Sequence, residues 1–142
     1  MTLIQAMRTD PPAVDESTSL LEAARVMDAA NCGMLPVMDQ TSVVGSVTAL
    51  EILSDAVTRG PSQGDRPVAD IMSQQPLTCP PETSLDDVIG MMRRHRQAEV
   101  LVVEASGRLL GAIDIFGVLA ARDSSAAGPT PDAVKRVRGG DA

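Results

Sequence analysis

Residues 45–53 (GSVTALEIL) return 66 positions later as residues 111–119 (GAIDIFGVL). Each copy reads as a glycine, a short apolar strand, a polar capping residue and the first turns of a helix. The correspondence extends outward from this pair. Residues 68–72 answer 3–7 at an offset of 65, Pro76 answers Pro11, and Thr83, Ser84 and Leu85 answer Thr18, Ser19 and Leu20. Met92 answers Met27, and residues 100–102 answer 35–37. A hairpin turn one residue longer in the second copy, 104–108, then moves the offset to 66. Agreement at one spacing over about fifty residues marks an internal duplication. The same small unit is built twice and must pack on itself.

The first copy is read as follows. Residues 2–8 are one turn of helix, broken at Asp10, Pro11 and Pro12, and residues 13–14 are a brief extended piece. Thr18 or Ser19 caps a helix, with Glu22 completing a capping box and Leu20, Ala23, Ala24 and Met27 on one apolar face. That helix runs to about Ala30 and stops at Asn31, Cys32 and Gly33. Residues 35–38 and 43–47 form a hairpin, and Pro36 is expected only at an edge or first strand position. A second helix starts at Thr48 and runs to about Arg59. One such unit has too little core to stand alone, so two must share one. The predicted fold is α/β, more strictly α+β: two tandem βαββα units related by pseudo-two-fold symmetry. The expected division is unit 1 over 1–60, a Gly- and Pro-rich linker over 61–67, unit 2 over 68–122, and a tail over 123–142 with a transient helix around 132–138.

Composition narrows the function. One Phe and no Tyr or Trp leave no aromatic platform for stacking bases. A net charge of -7 opposes non-specific binding to nucleic acid or anionic membranes. It does not oppose a small phosphorylated ligand held by local donors. No apolar run approaches the roughly 18 residues of a membrane span, and the first residues lack the layout of a secretory signal. The expectation is a cytoplasmic protein with no membrane insertion. Cys32 and Cys79 stand apart, which suggests no zinc site and no disulfide framework. His95, the one histidine, has no partner set for metal binding or triad chemistry. With no paired acid and base and no activated nucleophile, an enzyme is not expected.

The chemistry that remains sits at the strand-to-helix step. At Thr48 the free amides and positive end of a helix make an anion site, which a hydroxyl can supplement. Glu51, one turn on, can accept from the vicinal hydroxyls of a ribose. The same pair is also a capping box, a local device for holding a helix start, and the two roles are compatible. In the second copy Asp114 replaces the Thr and Gly117 the Glu. Asp caps well but competes with a phosphate, and Gly offers a ribose nothing and costs up to about 1 kcal/mol of helix propensity. A phosphate-bearing ligand should therefore prefer the first step. Arg93, Arg94, His95 and Arg96 close the second unit's first helix. They complement its dipole, and they are also the countercharge a phosphate near Thr48 would need. Met7, Met27, Met72, Met91 and Met92 are read as packing between the units.

Residues 69–72 (ADIM), Pro11 with Thr18 to Leu20, residues 27–37 (MDAANCGMLPV), residues 45–51 (GSVTALE) and Thr83 to Leu85 together resemble the tandem CBS-domain pair, or Bateman module. The resemblance covers residues 3 to 120. It implies two βαββα units packed through their sheets, two such pairs commonly forming a disc-like homodimer. It implies a sensor with no required cofactor that binds AMP, ADP, ATP or S-adenosylmethionine and regulates an enzyme, channel or transporter. By resemblance Thr48 is the phosphate-side residue, and Glu51 holds the ribose position where the family normally has Asp. Ala13, Val14, Leu35, Pro36 and Val37 match base-pocket positions. Thr78 and Cys79 are their second-unit counterparts, beside Asp114. Asp114 and Gly117 depart from the pattern. Asp114 suits S-adenosylmethionine, with its positive sulfonium, better than ATP. The competing reading is a structural or dimerisation module that has lost its ligand.

Overall fold

A computed structural model of the chain describes residues 2–125. The expected tail helix around 132–138 lies outside the described residues. The chain begins with α1 (Leu3–Ala6), where Thr2 and Gln5 form a reciprocal capping box. Then come β1 (Val14–Asp15), α2 (Leu20–Ala30), β2 (Met34–Asp39), β3 (Ser42–Thr48) and α3 (Ala49–Arg59). The second repeat supplies β4 (Thr78–Cys79), α4 (Leu85–His95), β5 (Glu99–Val103), β6 (Leu109–Asp114) and α5 (Ile115–Ser125). The strands form two separate three-stranded sheets, β1-β2-β3 and β4-β5-β6. In each, the short first strand is parallel to the middle one and the hairpin is antiparallel. Each hairpin shifts register at equivalent places, Val37/Met38 and Val102/Val103. The duplication is therefore structural as well as sequential.

The helices form where their caps and apolar faces require. Ser19 Oγ accepts from Glu22 N at 3.0 Å, and Ser84 Oγ does the same for Asp87 N at 3.1 Å. Asn31 and Arg96 end α2 and α4 in the left-handed conformation. Leu20, Ala23 and Met27 bury the α2 face with Leu35, Val37 and Val47 of the first sheet. Val88 and Met92 do so for α4 with Val100, Val102 and Ile113.

The two cores do not respect the two repeats. Leu3, from the head of the first repeat, packs in the second unit's core, while Val68, from the head of the second, packs in the first unit's core. Arg8 pairs with Ala112 of β6, its N–H donating to the Ala112 carbonyl at 2.8 Å, and Ser73 pairs with Ser46 of β3, its N–H donating at 2.8 Å. The glycines of the repeated stretch make this crossing possible. A Cβ on Gly45 would stand 2.7 Å from the Ser73 carbonyl oxygen, and one on Gly111 would stand 2.5 Å from that of Arg8. Met72 and Met7 cover the same two glycines, so these methionines do pack between the repeats. Met27 and Met92 instead fill the cores within each unit, contrary to expectation.

One other feature differs from expectation. Pro36 is the third residue of the central strand of its sheet, not an edge or first residue. It is tolerated because β1 pairs only with Val37 and Met38, so no ladder partner for a Pro36 N–H is lost from within β1. At the equivalent place Leu101 does donate, to the Leu77 carbonyl at 3.0 Å. The loop over 60–67 is held against α3. It carries a 3-10 turn at Pro61–Gln63, and Arg66 Nη1 reaches both oxygens of the buried Asp55 of α3 at 3.1 and 3.2 Å. The hairpin tips also join, Leu109 N donating to Thr41 O at 3.1 Å and Val43 N to Gly107 O at 3.2 Å.

Candidate ligand-binding clefts

The crossing of the repeats leaves two clefts along the line where they meet. The first, of about 570 Å³, is walled by Thr48, Leu50 and Glu51 on one side and His95, Arg96 and Gln97 on the other, with Ser73 alongside. The second, of about 520 Å³, is walled by Asp114, Ile115 and Phe116, with Arg8, Pro11 and Cys32 opposite. Gly33, Met34, Ala98 and Glu99 line both. These four residues are the partition between the clefts, and they lie just before β2 and at the start of β5.

At the first cleft the capping box is complete. Thr48 Oγ1 accepts from Glu51 N at 3.1 Å and donates to Glu51 Oε1 at 2.9 Å, and Thr48 N donates to that same oxygen at 3.1 Å. Ala49 N donates to the Gly33 carbonyl at 2.9 Å, so two of the first three amides of α3 already have acceptors. A phosphate here must rely on side-chain cations as well as on the helix end. Arg96, the cap of α4, supplies one, and His95 of its last turn adds a ring N–H donor.

At the second cleft Asp114 Oδ1 accepts from Gly117 N at 2.7 Å, the same capping role with one acidic oxygen. Gly117 has a packing reason of its own: a Cβ there would lie 3.0 Å from the Ala6 carbonyl of α1. The crossing segment thus crowds any side chain at this position.

The remaining sequence-predicted residues fall in different places. Leu35 and Val37 are fully buried in the first unit's core with Val14, while Pro36 faces the second cleft. Ala13 is exposed ahead of β1 and lines neither cleft. Thr78 and Cys79 line a separate hollow of about 320 Å³ beside Glu82 and Val103, not the Asp114 cleft. Arg94 is exposed and turns back along α4, its Nη1 lying near the space beside Gly90. Sequence reasoning did not find Ser73, Gln97, Met34 or Glu99. Ser73 was discoverable from the repeat, since it stands at offset 65 from Arg8 in the crossing segments. Glu99 carried no local signal. Among the described residues, no group of three His, Cys, Asp or Glu side chains is placed to hold a metal.

Glu99 is the electrostatic link between the clefts. Its Oε1 accepts from Gly33 N of the other repeat at 3.2 Å. Burial pushes its carboxyl up, opposed by the Gly33 hydrogen bond, with the Asp114 charge raising it and that of Arg8 lowering it. The Cys32 thiol is likewise raised, first by burial and then by Glu99.

The sequence profile of the CBS domain matches residues 3–57 and again residues 68–123. The chain belongs to the CBS-domain family. It is a tandem CBS pair, and such units are regulatory and non-catalytic. The CBS domain-containing protein YhcV of Bacillus subtilis is 29% identical over 98 residues, which span 69% of either chain. A homoserine O-acetyltransferase of Methanosphaerula palustris is 31% identical over 120 residues, covering 82% of this chain but 23% of that enzyme. Among solved structures, CBSX2 in complex with AMP is 26% identical with a TM-score of 0.74, covering 85% of this chain and 95% of that one. The CBS pair has no described helix long and apolar enough to cross a membrane.

Proposed function

We propose that this CBS pair is a regulatory sensor that binds an adenine nucleotide (AMP, ADP or ATP) in the Thr48 cleft and passes its occupancy to a partner enzyme or transporter. The observation that carries the reading is the meeting of Glu51 and Thr48 from one repeat with His95 and Arg96 from the other in a single cleft. A nucleotide needs that pairing, an acceptor for ribose hydroxyls facing a cation and a ring donor for phosphate. The AMP complex of CBSX2 supports adenosine as the ligand class. The second cleft sets two carboxylates, Glu99 and Asp114, against one cation, Arg8, and suits a phosphate less. Calorimetry and thermal shift with AMP, ADP and ATP at millimolar concentration test this. The expected result is saturable binding and a raised Tm, both lost in Arg96→Ala. No heat and no Tm rise with any of the three would sink it.

One observation favours a second reading, a module without a ligand: the side chains of Thr48 and Glu51 already satisfy each other. On that reading Thr48→Ala lowers stability by the loss of a cap, about 0.5–2 kcal/mol, with no nucleotide-dependent part.

A further inference from the structure

The stretch that follows α3 does more than join the repeats. It folds back across the start of α2, where Leu21 N donates to the Gly64 carbonyl at 3.0 Å and Leu20 N to that of Arg66 at 2.9 Å. Pro67 bridges Ser19, and the Arg66 guanidinium reaches both Asp55 of α3 and Asp70. A backbone strap thus satisfies the first two amides of α2. The same place in the second unit is a hollow of about 820 Å³, lined by Thr2, Ile4, Glu82, Ser84, Asp86 and Arg122 among others. Leu85 N and Asp86 N, the counterparts of Leu20 N and Leu21 N, have no acceptor among the described residues. In the first unit a single stretch both follows α3 and leads into Val68. In the second unit these tasks fall to two stretches: Thr2 leads into Leu3, the counterpart of Val68, and residues 126–142 follow α5.

We propose that residues 126–142 are the second unit's strap, turning back from α5 into this hollow and lying across the start of α4 of the same chain. α5 ends beside the hollow, since Arg122 of its last turn lines it and reaches Asp86 at 3.8 Å. The first unit crosses the matching distance with residues 60–64, so a stretch as long as 126–142 has chain to spare. Gly128, Pro129 and Thr130 repeat the Gly60, Pro61 and Ser62 with which the first strap opens. Charge agrees as well. Lys135, Arg136 and Arg138 bring three cations, and the start of α4 offers Glu82, Asp86 and Asp87, all exposed. Among the described residues, neither Glu82 nor Asp87 has an ion-pair partner. The three acids outweigh the positive end of α4, which carries about half a charge. Val134 and Val137 supply apolar area for Ile4, which is 53% exposed at the hollow.

The strap bears on the second cleft. α1 lies between the two places: Leu3 and Ile4 line the hollow, while Ala6 and Met7 line the Asp114 cleft. A docked strap holds that wall of the cleft in position, and a partner that competes for Lys135 to Arg138 loosens it. None of this depends on a nucleotide.

Lys135 is the one lysine of the chain, so a carbodiimide can join only one side-chain amine to a neighbouring carboxylate. The reaction is run on the full chain at low salt, and mass spectrometry maps the link. The expected product joins Lys135 to Glu82, Asp86 or Asp87, and it fades at about 0.5 M salt, where screening is strong. In a mixture of isotope-labelled and unlabelled chains the link should stay within one chain. Links to other acids, links only between chains, or no link at all overturn the proposal. Hydrogen exchange is an independent check. Lys135→Glu, Arg136→Glu and Arg138→Glu combined should speed exchange at residues 3–6 and at Leu85 and Asp86 by more than about threefold, with β5 and β6 at wild-type rates. Unchanged exchange at α1 and at the start of α4 overturns it too.

Discussion

Twice in this chain a strand passes to a helix through the same sequence frame, and the two passages do different work. At Thr48 and Glu51 the cap is reciprocal and opens on a cleft with His95 and Arg96. At Asp114 and Gly117 the cap is one carboxylate, and the Ala6 carbonyl of α1 lies close to where a side chain would begin. The scaffold tolerates either solution because in both the capping side chain accepts from the third amide of the helix, while a carbonyl just before the unit's middle strand, Gly33 or Ala98, accepts from the first. What differs is the freedom left over. Glu51 keeps a carboxylate at a cleft wall, while a side chain at Gly117 would be crowded by the Ala6 carbonyl.

The largest predicted effects concern the glycines that both passages share. Gly111→Ala and Gly45→Ala should each cost about 1–3 kcal/mol, because the new methyl meets backbone and not a flexible side chain. Gly111 should be the worse of the two, its Cβ being 2.5 Å from an oxygen against 2.7 Å. Thermal and urea unfolding measure this, and equal losses would erase the asymmetry at that level. Next comes binding. Glu51→Gln should weaken AMP by at least about tenfold, in line with roughly 1.5–3 kcal/mol for a hydrogen bond to a charged group. Asp114→Asn should leave the affinity close to wild type. Calorimetric titration of both variants decides whether the two clefts are as unlike as their steps.

Smaller effects separate the caps themselves. Thr48→Ala and Asp114→Ala should each lose about 0.5–2 kcal/mol. Thr48 should lose more, since its removal breaks a reciprocal pair, whereas removing Asp114 also relieves its repulsion with Glu99. The smallest effect is a dependence on pH at the partition. Because burial raises the Glu99 carboxyl in the folded state, its ionised form opposes folding, and that opposition fades as pH falls through the raised value. The Tm of wild type relative to Glu99→Gln should therefore rise between pH 7 and pH 5. A flat difference would remove Glu99 as a charged link between the clefts.

The local elements were legible because their causes are local. Caps at Ser19, Thr48 and Ser84, the apolar face of α2, and the hairpin turns all follow from neighbours within a few residues. Arg96 was also legible, as a cation at a helix end beside His95. The base-side residues were not. Leu35 and Val37 alternate with Pro36 along a strand, so the three cannot share one pocket, and the structure sends the first two to the core and the third to the Asp114 cleft. Glu99 and Ser73 reach the Thr48 cleft through contacts between repeats, which no local pattern reports. Thr78 and Cys79 lie away from Asp114 for a reason within the second repeat: β4 pairs with β5, on the side remote from β6.

The crossed ends bear on how a molecule of this kind can come into being. A single repeat, taken as residues 68–125, holds Ser73 with no β3 to receive it, and a β6 with no Arg8 to pair with it. Two such pieces brought together could supply those bridges to one another. Tying the pieces end to end through residues 60–67 need change none of these contacts. It turns an encounter between molecules into a ring closure within one, whose entropic cost grows only slowly with the length of the tie. Assembly then no longer depends on how many copies the solution holds.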